Sequence, residues 1–133
     1  MIVVDSNVLV RYLVKDDHDQ TVIATKFLAD HRCFVLKTVL LEVVWVLSSP
    51  AGYNLPRKIV HERLIHVLGL PCMETEDASN VAQALNWYLK GMDFADALHL
   101  SGSIEHSSIA TFDRKFASTA EKLDVISSVI LLS

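Results

Sequence analysis

The sequence has little of what a disulfide framework, a membrane span or a signal peptide requires. It contains two cysteines, Cys33 and Cys72, which lie far apart in apolar surroundings and form no CxxC pair. We expect both to be buried free thiols in a reducing compartment. No apolar run approaches the length of a membrane span, and Asp5, Asn7 and Arg11 interrupt the N-terminal stretch where a signal peptide needs an unbroken apolar core. These absences predict a cytoplasmic protein.

Positive charge is also scarce. Twelve lysines and arginines stand against 16 aspartates and glutamates, which gives a net charge of −4 and argues against a basic arm or a membrane-binding stripe. The chain is 51% apolar with a mean hydropathy of +0.33, which is high for a small soluble monomer. We therefore expect apolar surface to be buried against a partner. The length of 133 residues predicts one domain over residues 1–133.

Short apolar stretches alternate with helical patterns along the chain. The apolar stretches are at residues 1–4, 34–36, 71–73, 108–113, 124–126 and 129–132. The helical patterns are at residues 8–15, from the polar break at 15–20 to about residue 30, and at 37–47, 55–68, 76–90, 93–100 and from 114 onward. This alternation predicts an α/β fold, with helices on both faces of a short parallel sheet in a three-layer α/β/α domain.

The same patterns predict which side chains are buried. The first strand is expected to be covered on both faces, because its residues are all apolar. The helix at 37–47 is apolar on nearly every side, so we expect it to be buried together with Glu42, its lone acid. In the helix that ends at about residue 30, Val22 and Ile23 are expected to point inward. Thr75 is expected to cap the helix that follows it.

Acidic residues follow or adjoin several of these segments. Two predicted strands end in an aspartate, at Asp5 and Asp113, and Asp96 lies one turn beyond Asp93 at a predicted helix start. Ligands of open α/β sheets bind beyond the carboxyl ends of the strands. We therefore expect Asp5, Glu42, Asp96 and Asp113 to be able to converge on one edge.

Such a cluster would be unstable without a counter-charge. Four carboxylates make six pairs, and at about 8 Å and an effective dielectric constant near 20 each pair repels by about 2 kcal/mol, or about 12 kcal/mol in all. The whole stability of a small domain is only about 5–15 kcal/mol. Raised pKa values relieve part of this repulsion, and a divalent cation relieves more. Oxygen ligands favour Mg²⁺ or Mn²⁺ over zinc.

Several of these acids also have a structural interpretation, and for Asp96 it is that of a favourable acid in the first turn of a helix. Asp5 and Asp93 are natural N-caps, and Glu42 can take part in a structural salt bridge. His99, three residues beyond Asp96, is either an ordinary histidine or a member of the same site. The residue types alone leave these alternatives open.

Four motifs, in this order and over nearly the full length, resemble those of PIN-domain nucleases. They are Val3-Val4-Asp5-Ser6-Asn7, Glu42 ahead of Trp45-Val46-Leu47, Asp93-Phe94-Ala95-Asp96-Ala97-Leu98, and Thr111-Phe112-Asp113. The likeness is greatest to the VapC-type toxins of bacterial and archaeal toxin–antitoxin pairs. It implies a compact α/β/α domain that gathers acids around Mg²⁺ or Mn²⁺ and hydrolyses RNA phosphodiester bonds. It also implies a homodimer and a small cognate antitoxin.

The resemblance assigns roles to individual residues. The family's four catalytic acids fall on Asp5, Glu42, Asp96 and Asp113, of which Asp5, Asp96 and Asp113 are expected to hold the metal and Glu42 to orient the attacking water. Supporting positions fall on Asn7, Asp93 and Thr111. Ser6 stands where many members have threonine, and this departure keeps the hydroxyl.

Two cations follow the last acid. Arg114 and Lys115 are expected to neutralise substrate phosphates, the alternative being ordinary surface charge.

Three other functions remain possible at this point. A haloacid-dehalogenase phosphatase also has an aspartate at a strand end, but it needs a second aspartate two residues later, where this chain has Asn7. A receiver domain needs a lysine after the last strand, and residues 127–133 contain none. A non-catalytic partner-binding module would leave the acids unused.

Overall fold

Parallel strands alternate with helices in both of the units into which the chain divides. The computed structural model describes residues 1–125 and 129–133, and its two units are Met1–Ala78 and Ser79–Ser133. The first unit contains β1 (Ile2–Val3), α1 (Ser6–Val14), α2 (His18–Asp30), β2 (Cys33–Val35), α3 (Lys37–Ser48), α4 (Arg57–Leu68) and β3 (Met73–Thr75). The second contains most of α5 (Ala78–Leu89), then α6 (Phe94–Ser103), β4 (Ile109–Thr111), α7 (Arg114–Lys122) and β5 (Val129–Leu131). The strand segment predicted at 124–126 lies partly outside the described residues.

The first unit has a parallel three-stranded sheet in the order β1-β2-β3. Ile2 pairs with Cys33 in β2, and Cys33 in turn pairs with Met73 in β3. The prediction that β1 is buried on both faces is wrong, because Ile2 and Val3 are 43% and 54% exposed. β1 is an edge strand with one neighbour in this sheet, and burial begins only at Val4. The parallel pairing confirms the predicted α/β class.

Helix α1 packs against α2 and α3, and through Leu9, Val10 and Leu13 it contributes to the core. In α2 only Ala24 and Leu28, one turn apart, are buried. The prediction that Val22 and Ile23 point inward is therefore wrong. Both are exposed, because α2 buries a narrow stripe and these residues lie beside it.

Helix α3 is covered on one side only. Val39, Leu40, Val43, Val44 and Leu47 are buried, as its composition predicts. Glu42 is nevertheless exposed, and so is Trp45, at 63%. Residues three apart share a helix face, so Glu42 and Trp45 belong to one uncovered face. The prediction of a buried Glu42 is therefore wrong.

The start of α3 is held by a residue distant in sequence. The backbone N–H of Lys37 donates a 2.8 Å hydrogen bond to Oε1 of Glu76, just after β3. Thr75 is the last residue of β3 and α5 begins at Ala78, so the prediction that Thr75 caps this helix is wrong. The backbone pairing continues one residue beyond β3, with Glu76 N–H donating to the Val35 carbonyl at 2.9 Å.

The two cysteines are free thiols, as predicted. The prediction that both are buried is correct for Cys33 in β2 and wrong for Cys72, which is half-buried. Burial raises the pKa of the Cys33 thiol, and the neighbouring Cys72 raises it further. None of the helices in the described part of the chain combines the length and the apolarity needed to cross a membrane.

The second unit pairs β4 with β5 in parallel, Ile109 opposite Val129. In α5 the buried residues are Val81, Ala84, Leu85, Trp87 and Tyr88. The two helices that follow, α6 and α7, begin at Phe94 and Arg114, directly after Asp93 and Asp113.

A surface network in the first unit is expected to make stability depend on pH. The Tyr53 hydroxyl donates a 2.7 Å hydrogen bond to Asp16, and Arg11 pairs with the same carboxylate at 3.0 Å. The hydrogen bond from Tyr53, and then the charge of Arg11, hold the pKa of Asp16 below its ordinary value of 3.8 against the effect of desolvation. The hydrogen bond to Asp16 raises the pKa of Tyr53.

Because the folded-state pKa of Asp16 is lowered, the contribution of Asp16 to stability is present above its unfolded-state pKa. This contribution is lost as pH falls through the folded-state pKa. Because the folded-state pKa of Tyr53 is raised, the contribution of Tyr53 to stability is lost as pH rises through that pKa. We therefore expect Tyr53→Phe to lower the urea midpoint at pH 7 and to have a smaller effect at strongly acidic or alkaline pH. An effect that is independent of pH would contradict this network.

Candidate active site

Asp5 stands at the junction between β1 and α1. Its backbone is extended, and its carboxylate accepts a 2.7 Å hydrogen bond from the Ser6 N–H, so it acts as the N-cap of α1. The side chain is exposed. The capping interpretation is therefore correct, and the free face of the carboxylate remains available to a ligand.

Ser6 joins Asp5 to Glu42. The Ser6 hydroxyl donates a 3.0 Å hydrogen bond to Oε2 of Glu42 and lies 3.5 Å from Oδ1 of Asp5. A serine hydroxyl has a single proton, so the shorter contact is the stronger bond. Glu42 makes no salt bridge with any described residue, so the structural salt bridge is not found. The first unit thus brings two of the predicted acids to one hydroxyl.

The second unit places Asp93 and Asp96 at the start of α6. Asp93 is the N-cap, and its Oδ2 accepts a 3.2 Å hydrogen bond from the Asp96 N–H. This is the predicted cap. Asp96 is half-buried in the first turn, where the positive end of the helix dipole favours a carboxylate.

Asp113 has the same position at the start of α7. Its Oδ1 accepts a 3.0 Å hydrogen bond from the Phe116 N–H, and its own N–H donates a 3.0 Å hydrogen bond to the Thr111 hydroxyl. Thr111 thereby holds the turn that carries Asp113. This contact gives a physical basis to the supporting role predicted for Thr111.

Two aspartates of the second unit, Asp93 and Asp113, act electrostatically on a third, Asp96. Desolvation raises the pKa of Asp96 above its ordinary value, and the carboxylates of Asp93 and Asp113 raise it further. His99 and Lys115 oppose this shift, because positive charge favours the ionised form. These five side chains therefore form a single electrostatic group.

The remaining predicted residues have separate positions. Arg114 and Lys115 are exposed in the first turn of α7, where the helix dipole disfavours cations. Asn7 lines a groove of about 580 Å³ between α1 and α2, together with Arg11, Ile23 and Phe27. Among the described residues, no hydrogen bond orders an acid through Asn7, so its supporting role stays a prediction.

The predicted acids thus fall into two groups, one in each unit. Asp5 and Glu42 belong to the first, and Asp93, Asp96 and Asp113 to the second. That all four catalytic acids act at one site stays a prediction. The hydrogen bond from Ser6 to Glu42 escaped prediction, since these two residues are 36 positions apart and no local pattern relates them.

The donor set suits a hard divalent cation. In each unit the donors are carboxylate and hydroxyl oxygens, the ligand type that Mg²⁺ and Mn²⁺ prefer. Within neither unit do three or more His, Cys, Asp or Glu side chains of the described residues form a group that could hold a metal ion. Mg²⁺ commonly uses one or two carboxylates and completes its coordination with water and substrate phosphates, so two small carboxylate groups fit it.

Comparison with known proteins gives the family. The family model described as the PIN domain matches residues 2–122. Comparisons with curated proteins and with solved structures gave no significant match. The matched residues cover nearly the whole chain and all the acids discussed above. The chain therefore belongs to the PIN domain family, whose members are generally nucleases.

Proposed function

We propose that this protein is a Mg²⁺- or Mn²⁺-dependent endoribonuclease in which Asp5, Glu42, Asp96 and Asp113 act together. The observation that carries the proposal is the group of carboxylates around Asp96, held at two helix N-termini. Desolvation by burial raises the pKa of Asp96, and the charges of Asp93 and Asp113 raise it further. A fold that keeps like charges together in this way is suited to bind a cation. Membership of a nuclease family supplies the class of reaction.

The proposed mechanism assigns a task to each residue. Asp5, Asp96 and Asp113 would hold the cation, which when bound neutralises charge on the scissile phosphate and makes water more acidic. Glu42, oriented by the Ser6 hydroxyl, would position the attacking water for in-line displacement. Arg114 and Lys115 would neutralise neighbouring phosphates of the substrate.

The direct test is cleavage of a labelled single-stranded RNA by the purified protein. We expect cleavage with Mg²⁺ or Mn²⁺ and none with excess EDTA. A DNA strand of the same sequence is the matched control for substrate class. Cleavage that persists in EDTA would contradict metal dependence, and RNA binding without cleavage would favour the non-catalytic partner-binding module. The phosphatase alternative loses support because the chain belongs to a different family.

Ser6 offers a matched pair of variants. Ser6→Ala removes the hydroxyl that donates to Glu42, and we expect it to lower the cleavage rate about 10–100-fold, the usual cost of losing a residue that orients a metal-site group. Ser6→Thr keeps the hydroxyl and should retain most of the activity. Steady-state kinetics on the RNA substrate measure both effects, with circular dichroism to confirm folding. Equal rates for the two variants would contradict this role.

The biological role proposed is that of a toxin with a cognate antitoxin. The proposal rests on the motif resemblance to VapC-type toxins. We expect expression of the chain to arrest growth, and co-expression of the neighbouring gene to relieve the arrest. Toxicity that survives in the Asp96→Asn variant would contradict a toxin that acts through the nuclease.

A homodimer is proposed from the apolar excess of the chain. Large apolar side chains such as Val22, Ile23, Trp45 and Ile65 are more than half exposed in the first unit, more than a monomer of this size needs. Light scattering on the purified protein tests the proposal. A monomer mass at micromolar concentration would contradict it.

A further inference from the structure

Phe112 is exposed in a way that the other phenylalanines of the chain are not. Phe94 and Phe116 are buried and Phe27 and Phe34 are half-buried, whereas Phe112 is 75% exposed, the highest value among the exposed large apolar side chains of the described residues. An aromatic ring exposed to this extent is accessible to a stacking partner, and its surroundings decide which partner it suits.

The ring is carried on a fixed backbone. On one side of Phe112, the Thr111 carbonyl accepts a 2.8 Å hydrogen bond from the Leu132 N–H, within the pairing of β4 and β5. On the other side, Asp113 is bonded to the Thr111 hydroxyl and to the first turn of α7. Ordering the ring on binding therefore requires no ordering of the chain that carries it.

The surroundings of the ring favour a nucleic acid. Asp113, the next residue, belongs to the carboxylate group around Asp96, and Arg114 and Lys115 follow in the first turn of α7. Arg114 forms no ion pair with any described residue and is disfavoured there by the helix dipole. An exposed aromatic ring, one carboxylate of the group around Asp96 and two exposed cations thus lie within four consecutive residues.

We propose that Phe112 stacks on an unpaired nucleobase of single-stranded RNA next to the cleaved phosphodiester bond. This inference rests on the proposed function and names its substrate class. A phenyl ring stacks on any base and reads no hydrogen-bond pattern, so it favours unstacked bases without selecting a sequence. Bases in a duplex are stacked on one another and cannot use the ring in this way.

The first test compares two substitutions on a single-stranded RNA of mixed sequence. Phe112→Leu keeps the apolar volume and removes the π face, and we expect it to raise KM at least about tenfold. Phe112→Trp should restore KM to the wild-type range. Ile104→Ala, an exposed apolar position at the end of α6, is the control and should change neither kcat nor KM. Equal KM values for wild type and Phe112→Leu would overturn the inference and leave the proposed nuclease standing.

The second test measures stacking without cleavage. The same RNA, with 2-aminopurine in place of the base beside the mapped cut, is bound in Mg²⁺ to the Asp96→Asn variant. We expect its fluorescence to be quenched, and the quenching to be lost when Phe112→Leu is added. Quenching that is unaffected by Phe112→Leu would overturn the inference. A shift of Phe112→Leu to a smaller oligomer would also overturn it and assign the ring to a protein interface. RNA that is neither bound nor cut would overturn both this inference and the proposed function.

Discussion

Replacing Asp96 with asparagine is expected to lower RNA cleavage by at least about a hundredfold while the protein stays folded. Loss of a residue that merely orients a metal ligand costs about 10–100-fold, so loss of a ligand itself should cost more. Asparagine keeps the size of the side chain and removes its charge. The backbone N–H of residue 96 that donates to Asp93 is also kept.

The same substitution is expected to stabilise the metal-free protein slightly. Asp93 and Asp113 disfavour the ionised form of Asp96, and desolvation disfavours it more. Because Asp96 is only half-buried, solvent screening limits the gain to about 1 kcal/mol or less, a rise in Tm of about 1–3 °C. Added Mg²⁺ should then raise the Tm of the wild type more than that of the variant.

The matched control is Glu105→Gln, which removes one exposed acid of the same unit. We expect it to leave cleavage and the response to Mg²⁺ unchanged. If Asp96→Asn kept metal-dependent cleavage within tenfold of the wild type, Asp96 would not be a catalytic residue. Loss of activity in both variants would instead indicate a general effect of negative charge.

Gly52→Ala is expected to destabilise the protein by about 2–4 kcal/mol, or about 10 °C in Tm. A Cβ at Gly52 would lie 2.1 Å from the carbonyl oxygen of Val46. That oxygen is held in place, since it accepts a 3.0 Å hydrogen bond from the Tyr53 N–H. The turn between α3 and α4 must therefore open to admit a methyl group.

Gly102→Ala is the paired substitution with the opposite sign. Gly102 lies inside α6, and beyond its chain neighbours and its own helix backbone a Cβ there meets no atom of the described residues within 4 Å. Alanine is the better helix former, so we expect a gain of about 0.5–1 kcal/mol. Urea unfolding of both variants measures the two effects. A change of the same sign in both would contradict this account of the two glycines.

The sequence was most informative about which residues lie in strands and helices. The strands at 109–111 and 129–131 fall inside the predicted segments, and those at 33–35 and 73–75 are shifted by one or two residues. Periodicity depends on the chain itself, so it can be read without coordinates. What it does not indicate is which face of a helix another element covers.

Helix α3 illustrates this limit. Its composition is apolar on nearly every side, so no pattern marks the face with Glu42 and Trp45 as the one left uncovered. The capping of α3 by Glu76 escaped prediction for a related reason. A cap supplied from 39 residues away has no local signature, whereas Thr75 beside a predicted helix has one.

For the candidate site, the chain alone was sufficient to place Asp93 and Asp113 at helix N-termini. A capping hydrogen bond joins residues three positions apart, so the residue types and the spacing that favour it can be read directly from the amino-acid sequence. The contact of Ser6 with Glu42 and the effect of Asp113 on Asp96 depended on folding. The packing of helices and strands determines the distances between residues far apart in the chain. Short-range periodicity does not indicate those distances.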